Sequence, residues 1–167
     1  MVQAWVGSLP VQITMDSGAA RTGGLDHFLA KLRRSEKTRR ACKGRLQGVN
    51  QRTCVGIIEN QRMITDKIQR LDIAFEGECV ETGRADVKRH ARNVEVSELP
   101  HIGEGLIMGA LDLANLGFQL RTENDKVRVT LRNLGLEMDA LLVPKSRAVD
   151  YQLRVTDTLN VTGPALV

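Results

Sequence analysis

A run of alternating apolar residues that stops at an acidic turn places the tightest constraint on how this chain folds. Val11, Ile13 and Met15 are separated by single polar residues, and this period of two predicts a β-strand with one buried face. Asp16 follows at once and begins the sequence Asp-Ser-Gly-Ala. Gly18 lets the backbone turn sharply, and its small neighbours allow a second segment to approach the carboxylate closely. The strand therefore ends at a position suited to chemistry.

The composition is that of a globular protein. The chain has 167 residues, of which 26% are charged and 42% hydrophobic, values typical of one globular domain with its own core. Aromatic residues make up 3%, so an aliphatic core is expected. The sequence has no apolar run long enough to cross a membrane and no pattern of a secretory signal. Cys42, Cys54 and Cys79 lack a metal-binding spacing and are expected to be free thiols.

Much of the remaining pattern is that of strands. Short apolar or alternating stretches lie between turn residues, and they span 46–49, 53–58, 63–65, 68–75, 119–122 and 126–131. Helical spacing predicts one short helix over 25–32 and another that ends at Gly117. Gly77 is expected to end the strand at 68–75, and no element is predicted for 81–105. We therefore predict an all-β protein with one or two short helices.

A second segment gives the acidic turn a context. Leu106, Ile107 and Met108 form an apolar run that ends at Gly109, and a helix-like stretch follows. The order along the chain is strand, Asp-Ser-Gly-Ala, long excursion, apolar strand, glycine and short helix. This order resembles that of the retropepsin-like aspartic proteases, the family of retroviral and retrotransposon proteases.

The resemblance covers residues 2–131 and implies both a fold and a set of functional residues. It implies a closed β-sheet or barrel, an opening hairpin before the acidic turn, and a mobile hairpin over the substrate, the flap, for which 53–65 is the candidate. The residues that it assigns to catalysis are Asp16, Ser17 and Gly18, and those that it assigns to substrate binding are Ala19, Ala20, Ile57, Ile58, Met108 and Gly109. Residues 1–131 would form the protease domain, and 132–167 would form a C-terminal extension.

The chain departs from the family pattern at two places. Ala20 and Ala110 stand where retroviral members often have an acidic and a basic residue, so both members of that pair are missing together. Many relatives have Asp or Asn two residues after the second glycine, whereas this chain has Leu111 there and Asp112 next. The hydrogen bonding around that glycine is therefore expected to differ.

A single acidic signature implies a dimer, because aspartate catalysis of peptide hydrolysis needs two carboxylates that share one proton. One chain supplies one Asp16, and a two-fold axis supplies the second. The resemblance thus implies a homodimeric aspartic endopeptidase. Its substrate would be a polypeptide such as a retroelement or viral polyprotein, and it would act in the cytoplasm or a virus-like particle without a metal or other cofactor. The candidates for the dimer interface are 119–131 and 134–143. The first alternative is a dimeric binding module without activity.

A basic cluster supports the second alternative, a nucleic-acid-binding protein. Residues 31–45 include eight Lys or Arg residues and one acidic residue, Glu36. Such a run gains affinity for nucleic acid by displacing counterions from phosphates. No aromatic residues are interleaved in it for base stacking, so a solvated surface is the favoured interpretation.

Overall fold

The computed structural model describes residues 1–48, 52–55, 62–100, 102 and 105–141, and it is mostly β-strand. The strands are β1 (Val2–Val6), β2 (Leu9–Met15), β3 (Gly23–Leu25), β4 (Cys42–Leu46), β5 (Arg52–Val55), β6 (Arg62–Thr65), β7 (Ile68–Cys79), β8 (Val87–Leu99), β9 (Leu106–Met108), β10 (Phe118–Glu123), β11 (Lys126–Leu131) and β12 (Leu136–Ala140). The helices are α1 (Asp26–Arg34) and α2 (Ala110–Leu116). No helix in the described ranges has the length and apolar character needed to span a membrane.

Six strands close into a barrel. β1, β2, β9, β3, β8 and β7 are hydrogen-bonded in this order, and β7 pairs again with β1, where Phe75 lies opposite Ala4. β2 is parallel to β9 and β3 is parallel to β8, whereas the other neighbours are antiparallel. The structure confirms the prediction of a mainly β fold with a closed sheet and two short helices.

The barrel encloses an aliphatic core, as the low aromatic content predicts. β2 buries Val11, Ile13 and Met15 as predicted, and it also buries Thr14, which the predicted alternation assigns to the polar face. Phe75 is the one buried aromatic side chain among the described residues. Full burial of a large apolar side chain contributes about 1.5–3 kcal/mol. Because a slip of one residue would turn Val11, Ile13 and Met15 out of the core, their burial fixes the register of the strand that leads to the acidic turn.

Two tight turns have the backbone conformations that their sequences predict. β1 and β2 are joined at Gly7, whose φ is +59°, and a Cβ there would lie 2.1 Å from the carbonyl oxygen of Lys37. β10 and β11 are joined by Asn124 and Asp125, which both have positive φ, a conformation that these residue types tolerate. Both predicted hairpins are confirmed.

Both helices follow their sequence signals. α1 buries Leu29 and Leu32 and has Asp26 in its first turn, where the helix dipole favours a negative charge. α2 ends at Gly117, whose φ of 70° is left-handed and whose N–H bonds to carbonyl groups of the last turn. Glycine adopts this cap without the penalty of a side chain. Gly117 therefore ends α2 and directs the chain into β10.

Two sequence predictions about the longest strands are wrong. Gly77 does not end β7, which continues to Cys79 and pairs there with β12. A Cβ at Gly77 would lie 2.5 Å from the carbonyl oxygen of Glu137, so this glycine serves close packing and not a turn. β8 occupies Val87–Leu99, where no element is predicted. Its first half is exposed and charged, and pairing with β7 holds it in place.

The last three strands extend the sheet beyond the barrel. β12 pairs with β11 on one side and, through Leu136 and Glu137, with β7 on the other. β10 pairs with β11, and its second edge has no strand partner among the described residues. The described part of 134–143 is therefore paired within its own chain, whereas the hairpin at 119–131 presents an open edge.

β5 and β6 form a separate antiparallel pair that matches the hairpin predicted within 53–65. Ile57 and Ile58 lie outside the described residues, as do the strands predicted around 151–161. β4 spans Cys42–Leu46 and shares only Leu46 with the strand predicted over 46–49.

The basic cluster is divided between ion pairs and solvent. Arg33 and Arg45 contact Glu98 of β8, with nitrogen to oxygen distances of 3.3 and 2.6 Å, and Lys43 lies 3.5 Å from Asp72. The exposed remainder comprises Lys31, Arg34, Lys37, Arg39 and Arg40. Part of the cluster thus fastens α1 and β4 to the barrel, a role that the interpretation as a solvated surface did not include.

Candidate functional site

Asp16 lies at the end of β2, where that strand runs parallel to β9. Met15 is paired with Met108, and the backbone N–H of Asp16 donates to the carbonyl oxygen of Met108 at 2.9 Å. Asp16 is only 1% exposed. The two segments that stand out in the sequence, 16–19 and 106–109, therefore meet in space.

The residues after Asp16 form a compact turn around its carboxylate. The backbone N–H of Gly18 donates to Oδ1 of Asp16 at 2.9 Å, and the N–H of Ala19 donates to the carbonyl oxygen of Asp16 at 3.1 Å. Gly18 does not have a positive φ, so the turn does not depend on a left-handed backbone there. A Cβ on Gly18 would lie 3.2 Å from Oδ1. Its small size lets the amide reach the carboxylate and orient it.

This turn is packed tightly against the start of α2. A Cβ on Gly109 would lie 2.4 Å from the backbone carbonyl carbon of Arg21, so the crossing admits only glycine. The N–H of Ala110 donates to the carbonyl oxygen of Ala19 at 2.6 Å. That bond satisfies one of the N–H groups that the first turn of a helix leaves without a partner.

A buried hydroxyl links the two segments a second time. The hydroxyl group of Thr22 accepts a hydrogen bond from the N–H of Gly109 at 3.1 Å and donates a hydrogen bond to Oδ2 of Asp112 at 2.5 Å. Asp112 thus completes the hydrogen bonding at the start of α2, one place later than in many relatives of the resembled family. Sequence reasoning missed Thr22, and the available signal, a threonine shortly after the acidic turn, is weak because threonine is common in strands.

Ser17 carries a hydroxyl group that is buried without a hydrogen-bond partner among the described residues. Leaving such a group unsatisfied costs about 1–3 kcal/mol, so a buried orphan of this kind requires an explanation. Gly18, the next residue, is exposed. Ser17 thus lies next to an exposed residue at the tip of the acidic turn.

The structure brings together the predicted site residues of 16–20 and 108–109. Ala20 is exposed and Ala19 is half-buried, so both border the surface of the turn. Met108 is fully buried, and its carbonyl group supports the acidic turn. Contact of any of these residues with a substrate stays a prediction.

Chemically, the turn offers the oriented carboxylate of Asp16 and the hydroxyl of Ser17, which has no hydrogen-bond partner among the described residues. In the described part of the chain, no group of three His, Cys, Asp or Glu side chains is placed to hold a metal ion. A single carboxylate cannot serve as general base and general acid in the same step. Hydrolysis by a pair of carboxylates would therefore require a second carboxylate placed next to Asp16.

Comparison with known proteins does not place the chain in a family. No protein-family model matches the sequence, and no curated protein is significantly similar to it. The interpretation of the site therefore depends on its own geometry.

Gly109→Ala should disrupt the crossing of the two segments. The added methyl group would lie 2.4 to 2.8 Å from three backbone atoms of Arg21, and we expect a loss of about 3 kcal/mol in the free energy of unfolding. Gly44→Ala is the matched control, because a Cβ at Gly44 meets no atom within 4 Å. Urea unfolding of both variants measures the difference, and equal stability would contradict the close crossing.

Proposed function

We propose that this chain is an aspartic endopeptidase that acts as a symmetric homodimer, with Asp16 of each copy forming the catalytic pair. The observation that carries the proposal is the junction of the two segments, where Asp16 bonds to Met108 and the turn packs on Gly109. The order of elements also supports it. Opening hairpin, acidic turn, α1, the β5–β6 pair, β9 and α2 follow one another as the resemblance to retropepsin-like proteases implies.

Two carboxylates at a two-fold axis would carry out the proton transfers of peptide hydrolysis. The ionised carboxylate takes a proton from water as the water attacks the amide carbonyl carbon. The protonated carboxyl group gives its proton to the carbonyl oxygen, and a tetrahedral diol forms. In the following step the proton taken from water passes to the amide nitrogen, the C–N bond breaks and the amine leaves, while the other carboxylate takes a proton from the diol as it becomes the carboxylic acid product. Because like charges a few ångströms apart cannot both stay ionised, the pair holds one proton. Symmetry provides both groups from one sequence.

The buried hydroxyl of Ser17 fits this scheme. It gains a partner if a second copy brings the same turn to the axis, and that contact would hold the two turns together. Gly18 and Ala20 are exposed and have no bulky side chain that would prevent the approach. Leu111 bonds through its N–H to the carbonyl oxygen of Ala20 and is 55% exposed. The same contact would remove this apolar side chain from water.

The proposed substrate is a polypeptide in extended conformation, held largely by backbone hydrogen bonds. The β5–β6 pair is the proposed flap, with Ile57 and Ile58 as its substrate contacts, and Ala19 and Ala20 would line the floor of the cleft. A retroelement or viral polyprotein is the proposed natural substrate, since the resembled family processes such chains.

Asp16→Asn should abolish the cleavage of an unbiased peptide library between pH 4 and 7. Asparagine retains an oxygen that can accept the N–H of Gly18, so the fold should persist, which thermal unfolding checks. The wild-type protein should be inhibited by pepstatin and be indifferent to chelators and thiol-blocking reagents. Equal cleavage by both proteins would contradict the proposed mechanism. A folded wild-type dimer that never cleaves would instead support the binding module.

The rate of cleavage should depend on pH as a bell with its maximum on the acid side of neutrality. At low pH both carboxyl groups of the pair are protonated and no base remains. At high pH both are ionised and no acid remains. Initial rates on one peptide between pH 3 and 9 measure the profile, and a rate that stays flat up to pH 9 would argue for another mechanism.

The open edge of β10 is the proposed second part of the dimer interface. A strand edge presents unpaired N–H and C=O groups that readily pair with another strand. β10 follows α2 directly after Gly117, so it belongs to the same stretch of chain that packs on the acidic turn. Because β12 already has a strand on each side, the hairpin at 119–131 is favoured over 134–143.

Introducing lysine at Gln119 and Thr122 together should dissociate the dimer. Both residues are exposed on β10, and antiparallel pairing about a two-fold axis would bring like charges close together. We expect a monomer in sedimentation and no cleavage at concentrations where the wild type is dimeric. The matched control introduces lysine at Gln12 and Ala85, which are exposed and are not paired with each other. An active dimer of the β10 variant would place the interface elsewhere.

A further inference from the structure

Arg21 is an exposed cation on a rigid base beside the acidic turn. Its backbone touches Gly109, where a Cβ would lie 2.4 Å from the carbonyl carbon of Arg21. The next residue, Thr22, is anchored by hydrogen bonds with Gly109 and Asp112. The same two segments that fix Asp16 therefore also fix the origin of the Arg21 side chain.

The guanidinium group of Arg21 is not used to hold the described structure together. No ion pair joins it to a described residue, whereas Arg33, Arg45 and Arg92 each contact a buried carboxylate. Asp112, a nearby acidic residue, is already bonded to the adjacent threonine. Arg21 thus contributes a positive charge at the site without a structural role for that charge among the described residues.

We propose that Arg21 makes the enzyme select an acidic side chain in its substrate. This inference rests on the proposed function, because it requires a peptide seated at Asp16. A guanidinium group presents parallel donors that match a carboxylate, and it would repel a substrate lysine or arginine. Ala19 and Ala20 next to it are neutral and small, so neither competes for the substrate side chain.

Symmetry doubles the effect. In the proposed homodimer, the two-fold axis would supply a second Arg21 together with the second Asp16, so one Arg21 would be available on each side of the catalytic pair. We therefore expect an acidic preference on both sides of the cleaved bond. The formal net charge of +4 per chain adds a general attraction for acidic polypeptides, which raises the rate of encounter but carries no positional preference.

Digestion of a random-sequence peptide library by the full-length protein tests the proposal. The wild type should cleave peptides with Asp or Glu near the cleaved bond about tenfold faster than matched neutral peptides, the effect of one charge-assisted contact. Arg21→Gln should bring this ratio close to one, and Arg21→Glu should reverse it in favour of Lys and Arg. Arg40→Gln, which removes an exposed arginine in the turn before β4, should keep the wild-type ratio.

The possible failures are distinguishable when Asp16→Asn is included in every digestion. Cleavage that depends on Asp16 but shows no acidic preference would overturn the role of Arg21 and leave the proposed function standing. An acidic preference that survives in Arg21→Gln would also overturn the role of Arg21 and leave the proposed function standing. Absence of any cleavage that depends on Asp16 would overturn the proposed function and this inference together.

Discussion

The parallel pairing of β2 with β9 is the contact on which the rest of the site depends. It joins segments that are far apart in the chain, and the backbone N–H of Asp16 donates a hydrogen bond to the carbonyl oxygen of Met108. The closed barrel holds both strands in register, since a slip would expose Ile13 and Met15. Gly109 then lets the acidic turn pack against α2 without an intervening side chain. The stability of the core thus determines where the carboxylate lies.

Hydrogen bonds hold the acidic turn, but one of its buried polar groups has no partner among the described residues. Hydrogen bonds orient Asp16 within its turn, whereas the hydroxyl of Ser17 is buried without a partner in the part of the chain that the structure describes. A buried hydroxyl group without a hydrogen-bond partner is unfavourable. In the proposed dimer, a second copy related by a two-fold axis would give this hydroxyl a partner and would add the second carboxylate of the catalytic pair.

Local sequence signals predicted the strand and the helix that form the site. The features that the sequence did not predict depend on contacts between residues far apart in the chain. Alternation identified β2, and Gly109 and Gly117 identified the limits of α2. β8 was not predictable, because its polar first half is a strand only by virtue of pairing with β7. The bond between Thr22 and Asp112 joins residues that are ordinary in their own segments. In the same way, only the fold shows that Glu98 forms ion pairs with two arginines of the basic cluster.

The most direct test of the account is the rate of peptide cleavage per chain across a dilution series in which sedimentation passes from dimer to monomer. If two copies of Asp16 form the catalytic pair, the rate per chain should fall in proportion to the dimer fraction and vanish in the monomer. At high dilution the total rate should then rise with the square of the chain concentration. A constant rate per chain in samples that sediment as monomers would contradict the account, because each chain offers a single Asp16.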